Sequence, residues 1–153
     1  MKYWLMKSEP DEYGIADLEK DQVELWDGIR NYQVRNMFRD EFRVGDLAIF
    51  YHSNAGKETG IVGTMEVCKE AYPDPTQFDS KSAHPDPKSD PDNPRWLCVD
   101  VKFKEKFPAV LTLSAIKADP KLADLRLVQR GNRLSVMPLT KLEYDYLVKQ
   151  ARK

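Results

Sequence analysis

The sequence holds little of what catalysis usually needs. Only two histidines, His52 and His84, occur in 153 residues. The two cysteines, Cys68 and Cys98, are too far apart for C-x-x-C spacing, so they suggest neither a zinc site nor a disulfide framework. Buried thiols in a reducing cytosol are the expectation. No G-x-S-x-G, no H-E-x-x-H and no glycine-rich nucleotide loop is present. Gly56-Lys57 resembles a fragment of a phosphate loop, but the glycine spacing such a loop requires is missing. No apolar run approaches membrane-spanning length. The run in MKYWLMKSEPDE is too short for a signal peptide and is followed at once by charge. Charge of one sign is not in excess either. The net charge of −1 with 32% charged residues excludes a globally basic nucleic-acid binder, though not a local basic stripe. These absences predict a soluble, monomeric cytoplasmic protein, nuclear in a eukaryote. No cofactor, metal or membrane partner is expected.

A chain of this length forms one domain, here taken as residues 1–153, and buries roughly 68–70% of its unfolded surface. Tyr3 to Met6 reads as a buried strand ended by Pro10. Ile15 to Lys20 reads as a short helix, and Val23 and Leu25 lead to Trp26. A second helix is predicted from about Asn31 to Arg43, which would set Arg35, Arg39 and Arg43 along one side. DLAIFYH at 46–52 is nearly all apolar and reads as a central strand buried on both faces. Ile61 to Cys68 alternates as a half-buried strand, and Trp96 to Lys106 alternates as the longest strand, with Pro108 ending it. A short helix is predicted from Leu111 to Ala118. Thr140-x-x-Glu143 is a capping box, with Leu139 and Tyr144 as a hydrophobic staple. The last helix should then turn Leu142, Tyr146 and Leu147 or Val148 inward.

Residues 72–95 hold six of the ten prolines and several aspartates, so they form neither helix nor central strand. A loop this long in a compact domain is usually functional or partly disordered. The prolines stiffen it, so it is expected to lie along the surface. Short strands separated by turns and flanked by helices predict an α+β domain on a five- or six-stranded antiparallel barrel.

The most informative stretch is Trp26 to Asn36, WDGIRNYQVRN. It puts two aromatics, an acid, a glycine, three amides and two arginines into eleven residues. Trp26 offers an apolar surface, either to a site or to a small core. Asp27-Gly28 makes a turn whose backbone can point at a ligand. Asn31 donates and accepts at once and also suits a helix N-cap. Other polar groups stand at predicted strand ends: Ser8, and Tyr51-His52-Ser53. A second basic segment, QRGNRLSV, brings Arg130 and Arg133 around a Gly-Asn turn before Leu134 and Ser135. An aromatic surface, hydrogen-bonding groups and guanidinium groups together suit an unpaired or flipped base. The ring stacks, its edge is read by amides and hydroxyls, and cations hold the phosphates. Stacking contributes ~1–3 kcal/mol per base, comparable to the cost of unstacking, so such a pocket discriminates by fit.

Five motifs in order, YWLMKSEP at 3–10, WDGIRNYQVRN at 26–36, VGDLAIFYHS at 44–53, NPRW at 93–96 and RLSVMPL at 133–139, resemble the EVE domain family over essentially the whole chain. The resemblance implies a PUA-like pseudo-barrel with flanking helices, related to the YTH readers of methylated adenine. It implies a protein that binds a modified base, methylated or hydroxymethylated, in DNA or RNA without catalysis. The implied base pocket comprises Ser8, Trp26, Asn31, His52, Ser53, Leu134 and Ser135, and Asp27 and Tyr51 are expected to complete it. Phosphate contacts are expected from Lys7, Arg30, Arg35, Arg39, Arg130 and Arg133. Two alternatives make other demands. An enzyme using His52 as acid–base, with Ser8 or an acid as partner, needs a perturbed histidine within reach of a reactive group. A protein-interaction module using the proline-rich loop needs an exposed apolar patch there.

Overall fold

Six strands make one sheet in the order β2-β5-β4-β3-β1-β6 in the computed structural model, which describes residues 1–153. The strands are β1 (Tyr3–Ser8), β2 (Val23–Trp26), β3 (Leu47–His52), β4 (Gly60–Pro73), β5 (Leu97–Thr112) and β6 (Val136–Leu139). Four helices flank them: α1 (Ile15–Asp21), α2 (Tyr32–Asp40), α3 (Leu113–Ala118) and α4 (Lys141–Ala151). This is the α+β, PUA-like arrangement of six strands and flanking helices. Its outer strands β2 and β6 do not pair, so the barrel stays open. Four of the five strand pairs are antiparallel; β1 and β3 run parallel, so the sheet is mixed.

Side chains of a strand alternate between faces, and both faces are covered here. In β1, Trp4 and Met6 join Phe38, Phe42 and Phe50 in one core beneath α1 and α2. Leu5 points the other way, with Ile49, Tyr51, Ile61, Ile116 and Leu147, into a second core beneath α3 and α4. That two-sided burial explains why DLAIFYH lacks alternation. Buried Asp46 fastens the entry to β3 by accepting from the Trp4 indole N–H at 3.0 Å and from the backbone N–H groups of Lys2 and Arg43.

Several boundaries differ from the sequence expectation. Strand β5 runs through Pro108 to Thr112. The ladder skips from Gly63–Lys106 to Ile61–Leu111, so Pro108 sits in an irregularity where no ladder donor is required. The third helix accordingly begins at Leu113. Helix α2 stops at Asp40, which leaves Arg43 in the following turn and ends the expected arginine row. In α4 the staple sets the phase: Tyr144, Leu147, Val148 and Ala151 are buried, while Leu142 is 82% exposed. The capping box itself is present, with Thr140 Oγ1 accepting from the Glu143 N–H at 3.1 Å and Glu143 accepting from the Thr140 N–H at 2.8 Å.

The proline-rich loop is internally braced. Buried Gln77 donates to the carbonyls of Asp74 and Trp96 and accepts from Ser89 Oγ and the Trp96 N–H. The Trp96 indole donates to Asp86 at 2.7 Å.

Candidate functional site

The parallel pairing of β1 with β3 brings two C-terminal strand ends to the same edge of the sheet. Ser8 lies opposite His52 in register, and the Ser53 N–H donates to the Ser8 carbonyl at 3.0 Å. Antiparallel β6 begins where β1 ends, so the Lys7 N–H reaches the Ser135 carbonyl at 2.8 Å. The exit of β2, from Trp26 to Ile29, and loop residues Thr76, Ser82, Ala83 and His84 supply the remaining walls. Together they enclose a cavity of about 720 Å³, within the usual range of roughly 300–1,000 Å³ for small-ligand pockets. A second concavity of about 750 Å³ lies between α4 and strands β3–β5 and contains none of the site residues expected from the sequence.

Of the expected base pocket, Ser8, Trp26, Asp27, Ser53 and Ser135 line the first cavity. Trp26 is also a core residue: it is 7% exposed and meets Phe50 edge-on at 5.3 Å between ring centroids. Its indole N–H has no partner in the chain. Arg30 Nε is the only fully enclosed side-chain nitrogen or oxygen left without a partner, so the Trp26 N–H reaches solvent. Ser8 Oγ donates to the Tyr13 carbonyl at 2.7 Å, leaving its lone pairs for a ligand.

Four expected pocket residues lie elsewhere. Asn31 caps α2 by accepting from the Val34 N–H at 3.1 Å. Tyr51, 3% exposed, belongs to the opposite core. His52 Nε2 accepts from the Ile15 N–H at 3.1 Å, and burial holds its pKa below the usual value. That bond requires neutral imidazole and ties the ring to α1. Leu134 packs against the first core.

The cations divide in the same way. Lys7 and Arg133 line the cavity, and Arg130, three residues before Arg133, is exposed and outside the lining. Arg35 bonds to Asn36 and the Arg95 carbonyl and lies over the Tyr32 ring at 4.7 Å. Arg39 pairs with Asp40 on the surface. Arg30 is a fastener rather than a free phosphate ligand. Its guanidinium donates to the Ile29 carbonyl, Asp74 Oδ2, Thr76 Oγ1 and the His84 carbonyl. Asp74, wholly buried, also accepts from the Gly28 N–H at 2.9 Å. These bonds tie the proline-rich loop to the Asp27–Arg30 turn. His84 then packs so tightly on Gly28 that an added Cβ would stand 2.6 Å from its ring. Gly28 also has φ +76°, a left-handed value that favours glycine.

The loop residues Thr76, Ser82, Ala83 and His84, together with Glu9, Glu12, Tyr13 and Glu24, are lining residues that sequence reasoning missed. The length and stiffness of the segment signalled function, but nothing local revealed which surface it covers.

Four carboxylates, from Glu9, Glu12, Glu24 and Asp27, face the cavity against two cations. Burial raises the pKa of Glu24 and lowers that of Lys7. Asp27 stays open to solvent at the mouth, yet the protein crowded around its carboxyl raises its pKa, with repulsion from Asp74 adding to the shift. Such an interior disfavours a phosphate and favours a neutral ligand with hydrogen-bond donors. No group of three or more His, Cys, Asp or Glu side chains is placed to hold a metal ion.

The model of the EVE domain family matches residues 2–150. Thymocyte nuclear protein 1 of Danio rerio is 45% identical over 95% of this chain and 70% of its own length. A crystal structure of a Pseudomonas syringae protein superposes with a TM-score of 0.92 at 44% identity, covering 97% of this chain and 99% of that one. The crystal structure of human THYN1 in complex with DNA containing 5-methylcytosine also gives a TM-score of 0.92, at 40% identity, over 100% of this chain and 99% of that one.

Proposed function

The chain belongs to the EVE domain family, and on that premise we propose that it is a non-catalytic reader of modified DNA. A methylated or hydroxymethylated base enters the cavity at the ends of β1, β2 and β3. The observation that carries this reading is that cavity itself, in a chain so similar over its full length to a relative solved with 5-methylcytosine DNA. Trp26 supplies an apolar wall, Ser8, Ser53 and Ser135 supply hydroxyls, and Asp27 supplies an acceptor. Lys7, Arg133 and Arg130 hold phosphates, while the base enters among the carboxylates that share the lining with Lys7 and Arg133. The enzymatic alternative that uses His52 as acid–base is disfavoured, because His52 is bonded to α1 and lies outside the lining.

Binding to a panel of single- and double-stranded DNA and RNA oligonucleotides, each with one modified or unmodified cytosine or adenine, tests the reading at two salt concentrations. The expected result is preference for a modified cytosine in DNA, with affinity falling as salt rises. Affinity indifferent to the modification, or absent for every oligonucleotide, overturns it.

A further inference from the structure

We infer that Asp27 reads the amino edge of the bound base, and that this contact separates a 5-modified cytosine from thymine. The inference rests on the reading that the cavity receives a base. It follows from how the acidic groups around Trp26 are occupied. Asp74 is saturated by the Gly28 N–H, Arg30 and Thr76. Glu24 accepts from the Leu25 N–H at 2.9 Å. Arg30, the cation nearest in sequence, directs its donors at Asp74 and the loop. Of the carboxylates that line the cavity, Glu9 accepts from Asn54 and Glu24 from Leu25, while Glu12 and Asp27 have no side-chain partner; of these two, Asp27 directly follows Trp26 and is bonded only to its own backbone N–H.

An ionised carboxylate accepts hydrogen bonds and donates none. A ligand that completes Asp27 must therefore present a donor. A pocket that recognises only a 5-methyl group meets a competitor abundant in DNA: thymine carries the same methyl at the same ring position. The two bases differ at position 4, where cytosine has an N4 amine and thymine an O4 carbonyl. The amine donates to the carboxylate. The carbonyl faces it acceptor to acceptor and leaves a partly desolvated charge without a partner. A site built to bond one edge rejects the analogue lacking it much more strongly than an apolar contact separates two bases by size.

The test uses four single-stranded oligonucleotides identical except for one central base: 5-methylcytosine, cytosine, thymine or adenine. Wild-type protein is expected to bind the 5-methylcytosine strand about tenfold or more tightly than the thymine strand. In Asp27→Asn the amide turns either its oxygen or its NH₂ toward the ligand, so the ratio should fall to within about threefold. In Asp27→Ala the ratio should also collapse, mainly through weaker 5-methylcytosine binding. Thermal melts of all three proteins check that Asp27, a solvent-open residue, is not a folding determinant. The inference is overturned if the wild-type ratio survives in both variants, or if Glu24→Gln removes it and Asp27→Asn does not. Wild type that prefers none of the four strands instead sinks the base-reader reading itself, and this inference with it.

Discussion

His52 is committed to the backbone of α1. Its Nε2 accepts from the Ile15 N–H, which only the neutral ring can do, and burial lowers its pKa from 6.5. A histidine whose folded pKa lies below its unfolded value binds protons more readily in the unfolded chain. Its stabilising contribution is complete above the unfolded pKa and is lost as pH falls from there through the lowered folded value. His52→Gln retains an acceptor for Ile15 but cannot titrate. Between about pH 7.5 and about pH 5.5, wild type should therefore lose more thermal stability than His52→Gln does. Parallel melting curves in the two buffers check this; equal losses contradict it. His52 also marks the limit of residue-level reading. Asn31 and Thr140 were legible as caps because capping partners lie three residues away. His52, Tyr51 and Leu134 stand in polar or basic motifs, but their partners are remote in sequence, so their destinations were not readable.

The proline-rich loop is the element on which the cavity depends. Arg30 and Asp74 bridge 44 positions of sequence, and Asp74 is wholly enclosed. Removing one member of a buried pair costs about 3–5 kcal/mol at full burial, and less here because the Arg30 side chain is 22% exposed. In Arg30→Ala the amides of Asp86 and Ser89, bonded within the loop, should exchange with solvent faster, while those of β3 and β4 keep their protection. Oligonucleotide binding should weaken without loss of the fold. Uniform deprotection of sheet and loop would mean that Arg30 supports the whole domain. Gly28→Ala probes the same fastening from the turn side. A side chain at φ +76° is strained by about 1–2 kcal/mol, and its Cβ must also displace His84. A lower melting temperature with weaker binding is expected. Most elements were readable from periodicity, since two-sided burial of β3 and alternation in β5 follow from the side-chain pattern. The parallel β1–β3 pair was not, because alternation has period 2 whichever way the neighbour runs. That pairing is what brings Ser8 and Ser53 to one edge.

Across the whole molecule, a net charge of −1 coexists with a cavity lined by four carboxylates and only two cations, Lys7 and Arg133. Few phosphates are then held, and the salt dependence of binding should be shallow. Lys7→Ala and Arg133→Ala should each reduce the slope of log affinity against log salt by about 0.7–0.9, the share of one phosphate contact. Arg39→Ala, whose partner is Asp40 on α2, should leave the slope unchanged. Equal slopes in all three variants would place the nucleic acid on another surface. The family motifs made the fold class legible at this scale. The mix of acids and cations along the cavity emerges only when the strand ends, the loop and the late basic segment are brought together.

The three tryptophans offer the most direct test that a base occupies the cavity. The Trp4 indole N–H is bonded to buried Asp46, and that of Trp96 to Asp86 in the loop. Trp26 lines the cavity, and its N–H bonds to nothing in the chain. Titrating ¹⁵N-labelled protein with a 5-methylcytosine oligonucleotide and following the three indole resonances should move the Trp26 signal most and leave that of Trp4 in place. The unmodified strand should perturb Trp26 far less at equal concentration. A Trp26 signal that stays fixed while binding saturates would contradict the account, because the base would then lie outside the cavity.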